Sequence, residues 1–76
     1  MNDERRKALR EVADKLQEAA ALLENLKDEE QEYYDNMPEG FQAGEKGEKA
    51  SEAVSNLEDA FNEVESAVAK IEETIG

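Results

Sequence analysis

Two long stretches of this chain repeat apolar residues at steps of three and four, and that pattern leaves room for little besides paired helices. In the first, Leu9, Val12, Leu16, Ala19, Leu23 and Leu26 step 3, 4, 3, 4, 3, and the rhythm runs on through Glu30, Tyr33 and Met37. In the second, Val54, Leu57, Phe61, Val64, Val68, Ile71 and Ile75 step 3, 4, 3, 4, 3, 4. Residues so spaced line a narrow seam on one helix face, the pattern of coiled-coil-like packing. Asn2 or Asp3 can cap the first helix. Pro38 ends it, because the residue before a proline avoids helical angles. The second helix is expected to begin between Gly44 and Ala50. The predicted fold is all-α: one domain, residues 1–76, built as a two-helix antiparallel hairpin with a helix over about 3–36, a loop over about 37–46 and a helix over about 47–75. At about 1.5 Å per residue each helix is roughly 40–50 Å long.

Such a hairpin is too small to be expected alone. Below roughly 70–80 residues one core rarely supplies more than a few kcal/mol, and the remedies are disulfides, a metal or self-association. The chain has 76 residues and neither cysteine nor histidine. That removes disulfides, the usual zinc ligands and the usual neutral-pH general base. Self-association is the remedy left. Ala53, Ala60 and Ala67 recur every seven residues beside the second seam, Ala13 and Ala20 do so beside the first, and Leu22 lies on the opposite flank. Small flanking residues let helices approach closely. These rows predict a homo-oligomer, a tetramer favoured, forming a four-helix or larger bundle. No enzyme activity, catalytic residue, metal or cofactor is expected.

The net charge of −12 is unevenly spread. Residues 1–27 carry six acids and six bases, 28–39 six acids and no base, 40–50 two of each, and 51–76 seven acids and one base. Direct binding to duplex DNA is therefore not expected, since it needs clustered positive charge. No apolar run approaches the roughly 18 residues of a membrane span, and no hydrophobic stretch follows the basic residues of Met1–Arg6, so neither a membrane partner nor a secretory leader is expected. With no cysteine, the expected location is the cytoplasm.

Between the helices the chain spends its large side chains on a turn. Residues 33–49 hold three of the four aromatics, the only proline and three of the four glycines. Tyr33 falls on the seam rhythm and Tyr34 does not; Met37 and Phe41 suit either a cap on the seam or a ligand. Lys46 and Lys49 are the only bases between Lys27 and Lys70. Tyrosine and phenylalanine rings offer stacking faces, Asn36 and Gln42 offer amides, and the lysines offer charge for phosphate at a helix start, where free N–H groups already favour anions. Gly44 and Gly47 would let backbone approach a ligand closely. The candidate binding residues are thus Tyr33, Tyr34, Asn36, Met37, Phe41, Gln42, Lys46 and Lys49, and the ligand class is a small nucleotide. The spacing is not that of a Walker loop, which needs Gly-Lys-Ser/Thr, nor of a calcium loop.

The run Asp28 to Glu39, followed by Glu45-Lys46-Gly47-Glu48 and an Ala/Glu/Leu-rich helix, resembles a widespread set of small acidic phage and prophage proteins. The chain also looks like the phage anti-CBASS sponge family. That resemblance implies a non-enzymatic, tetrameric anti-defence protein that sequesters a cyclic dinucleotide or related immune signal. Two other readings come from the residues alone: an acidic protein-binding inhibitor or DNA mimic acting through the second helix, and a structural coiled-coil assembly module.

Overall fold

The computed structural model describes residues 1–76 and is built from helices alone. Helix α1 spans Asp3–Asp35, the single turn α2 spans Glu39–Gln42, and α3 spans Glu45–Ile75. α1 and α3 lie side by side and antiparallel, giving a rod of 58 × 14 × 13 Å. α2 reverses the chain between them.

Both ends of α1 and the end of α3 are closed locally. A helix leaves its first N–H groups and last carbonyls without intrahelical partners. The Asn2 side-chain oxygen accepts from the Arg5 N–H at 2.8 Å and starts α1. At the far end, the Asn36 and Met37 N–H groups donate to the Glu32 and Tyr34 carbonyls at 3.0 and 3.1 Å. Pro38 is extended, and its carbonyl accepts from Phe41 and Gln42, which nucleates α2 inside the stretch expected to be loop. Gly76, with φ at 75°, closes α3 in the left-handed conformation that favours glycine.

The second heptad faces inward as its spacing predicts. Val54, Leu57, Phe61, Val64, Ile71 and Ile75 are half-buried and Val68 is buried, and the same rhythm extends back through Ala50 and Gly47, both buried. The first heptad does not. Leu9, Leu16, Leu23, Glu30 and Met37 are half-buried, but Val12, Ala19, Leu26 and Tyr33 are exposed. Their place is taken by Arg6, Ala13, Ala20, Lys27 and Tyr34, one residue further on. α1 has therefore turned about its leucine row, and the assignment of Tyr33 to the seam and Tyr34 to the surface is reversed.

Packing explains the choice. The leucine row can pair with either neighbouring row and still step by three and four. The row that won contributes Ala13 and Ala20, 6% and 1% exposed, against an α3 seam that opens with Gly47 and Ala50. Small side chains let the backbones close up, and dispersion contact grows with that approach. Arg6 and Lys27 fit the same row by burying their stems and keeping the charge at the rim. The turn holds this rotation in place. The Gln42 side-chain amide donates to the Tyr34 carbonyl at 2.9 Å. A Cβ on residue 47 would collide with the Gln42 backbone, so α3 can start this close only with glycine there. The alanine row Ala13/Ala20 thus serves the hairpin itself and not a second layer.

The resulting core is shallow. Only Ala13, Ala20, Gly47, Ala50 and Val68 are buried, and no large side chain is buried completely.

Candidate functional site

The eight candidate binding residues divide into three groups. Tyr34, Met37 and Gln42 are half-buried and belong to the turn's own packing: Tyr34 and Met37 close the seam, and Gln42 ties α2 to the end of α1. Asn36 caps α1 through its backbone, and its side chain is free at the surface. Tyr33, Phe41, Lys46 and Lys49 are exposed. Of these, the structure brings Phe41 and Lys46 together, with the lysine Nζ 6.0 Å from the ring centroid. α2 and the first turn of α3 position this pair. A cation over an aromatic face at an exposed site is worth about 0.5–1 kcal/mol, enough to pre-orient both groups. Lys49 instead reaches back to Glu45 at 3.2 Å, an exposed pair of little energetic weight.

Two sequence-based roles change here. Gly47 was expected to bring backbone close to a ligand; it brings backbone close to Gln42. Tyr34 was the ring the seam did not explain; that ring is Tyr33, 52% exposed.

The turn carries no enclosed pocket. The cavity of the hairpin is a groove of about 210 Å³ across its middle, lined by Glu24, Lys27, Glu58, Phe61 and Asn62. That is smaller than the roughly 300–1,000 Å³ of a typical small-molecule site, and two of its five walls are carboxylates. Carboxylates elsewhere are dispersed, with no three converging on a metal-sized point. No helix is long and apolar enough to cross a membrane. What the turn offers chemically is an open platform: the Phe41 ring with the Lys46 ammonium held over it.

Sequence reasoning missed the exposed row on α1. Val12, Leu26 and Tyr33 are 45%, 52% and 52% exposed, and Leu22, beside them, is 63% exposed. The clue was present in Ala13 and Ala20, which mark the side of the leucine row where a second helix can approach most closely.

Comparison of the chain with protein-family models, with curated proteins and with solved structures finds no match to any of them.

Proposed function

We propose that this protein is a non-enzymatic binding module that captures a small phosphorylated nucleotide at the turn end of its hairpin and works as a homo-oligomer, the phage anti-defence role its resemblance implies. The observation that supports the reading is the Phe41–Lys46 pair. A chain of net charge −12 opposes an anionic ligand over most of its surface, and in the charge-neutral stretch 40–50 it holds a lysine over an exposed ring. A base stacks on the ring, the ammonium meets phosphate, and Asn36 remains free to contribute an amide. Titration calorimetry with cyclic dinucleotides and ADP-ribose derivatives tests it. Binding that is lost in Phe41→Ala and Lys46→Ala supports the reading; no heat from any of these ligands overturns it. Phe41 is the informative ring to remove, because Tyr34 sits in the seam and its loss would loosen the fold.

A second reading has its own support. Glu58, Asp59, Glu63 and Glu65 on α3 are all exposed and none makes an ion pair within the chain. Such a surface suits a basic groove on another protein. Binding of that kind weakens steeply with ionic strength, whereas stacking of a nucleotide on Phe41 does so far less.

A further inference from the structure

We propose that one side of the hairpin, carrying Val12, Leu22, Leu26 and Tyr33, is the interface with a second copy of this chain packed antiparallel against it. The inference gives a place and a geometry to the self-association in the reading above and rests on that part of it alone; nucleotide capture at the turn stands or falls separately.

The two helices contribute to this side together. Glu24 of α1 and Glu58 of α3 line the same groove, so their two rows flank one side of the seam. In an antiparallel pair the rows on the other flank must then share the opposite side. Those rows are Val12, Ala19, Leu26 and Tyr33 on α1 and Ala53, Ala60 and Ala67 on α3. The side is thus a bulky apolar ridge beside a strip of alanines.

Its charge is unlike the rest of the molecule. Counting the next row outward on each helix as well, this side carries Arg5, Lys15, Lys46, Lys49 and Lys70 against only Glu29 and Glu63. Five bases less two acids is +3, on a chain whose total is −12. Nineteen of the 21 acids lie elsewhere. Self-repulsion of a strongly acidic chain opposes its association, and the acids are missing from the side that is apolar.

Area and stability agree. A side 58 Å long and 14 Å wide covers about 800 Å², the amount each partner buries in a stable interface of standard size. The hairpin's own core buries no large side chain completely, so it needs the added burial, and a second copy is always at hand with the matching surface.

Charge also chooses the direction. α1 carries Arg5, Arg6, Lys7 and Arg10 near its start and Asp28, Glu29, Glu30, Glu32 and Asp35 near its end. A parallel copy would set like against like. An antiparallel copy centred between residues 20 and 21 overlays the ridge from Ala8 to Tyr33 on its mate, sets small Ala8 opposite Tyr33 and Ala19 opposite Leu22, and brings Lys15 within a turn of Glu29 in the other copy, twice by symmetry. The basic start of one copy then lies beside the acidic end of α1 in the other, lowering the negative potential next to the turn.

Sedimentation equilibrium of the full chain and disulfide cross-linking test this. The chain lacks cysteine, so introduced thiols report cleanly. Val12→Cys chains mixed with Glu29→Cys chains form the mixed disulfide, while neither links to itself, because like positions lie about 25 Å apart at 1.5 Å per residue. Leu26→Lys weakens the dimer by at least about 100-fold, because the pairing sets the new ammonium opposite Lys15 of the other copy with no acid to compensate it. A monomer at hundreds of micromolar, self-linking by Val12→Cys, or a dimer that yields no mixed disulfide each overturns the proposal; a dimer, or a multiple of it, with the mixed link supports it. Cross-linking uses variants that keep Leu22, Leu26 and Tyr33, so it reads the interface even where Leu26→Lys fails to fold.

Discussion

α1 and α3 are both long heptad helices, yet they meet their partner differently. Every seam residue expected on α3 faces α1. On α1 half of them face solvent, and the seam runs along the adjacent row. The difference lies in how many apolar rows each helix offers. α3 has two adjacent rows of large residues, with alanines on one flank and Ser51, Glu58, Glu65 and Glu72 on the other, so it has one way to bury them. α1 has a leucine row with a large-residue row on one side and an alanine row on the other. Both choices satisfy the three-four rhythm, and packing takes the closer approach. The bulky row is left outside, where it is available to another chain.

The contrast can be broken most directly by placing charge on either side of the disputed rotation. Ala20→Asp puts a carboxylate at a position 1% exposed. An uncompensated buried charge costs about 3–5 kcal/mol, comparable to the whole stability of a hairpin this size, so far-ultraviolet circular dichroism should show the helices lost. Ala21→Asp, one residue on and exposed, should change the melt by less than about 0.5 kcal/mol. Equal effects at the two positions would mean that α1 does not hold this rotation.

The turn separates two glycines in the same manner, with a smaller effect. Gly47→Ala drives a methyl into the Gln42 backbone and should cost about 1–3 kcal/mol through overpacking. Gly40→Ala meets nothing within 4 Å and, lying in α2, should be neutral or stabilise by up to about 1 kcal/mol. Chemical denaturation of the two variants side by side is the check. Smaller again is Gln42→Ala, which removes the 2.9 Å bond to the Tyr34 carbonyl; a loss of about 1 kcal/mol is expected, seen as a lower unfolding midpoint in urea. Lys46→Ala should cost the fold least, under about 1 kcal/mol, while abolishing nucleotide binding in calorimetry. A variant that melts much lower would place Lys46 in the architecture instead of the ligand platform.

The functional reading follows the same division. Lys46 was legible in sequence as a residue with no duty in the seam, Phe41 suited either a cap on the seam or a ligand, and the turn joins them. Gln42 was not legible, because its amide is as suited to a ligand as to a backbone carbonyl, and only the path of the chain through α2 brings it to Tyr34. Gly47 read as room for a ligand for the same reason: a glycine marks close approach without saying what approaches.

What the sequence determined by itself is local. Heptad spacing, an asparagine cap, a proline stop and the absence of cysteine and histidine establish two helices joined at residues 36–44, because capping, backbone angles and face periodicity depend on residues only a few positions apart. The tertiary structure decided the rotation of α1 about its leucine row, and with it which tyrosine is core and which is surface. That choice is a contest between two rows of the same helix, settled by how near a second backbone can come, and no count along one chain contains that distance.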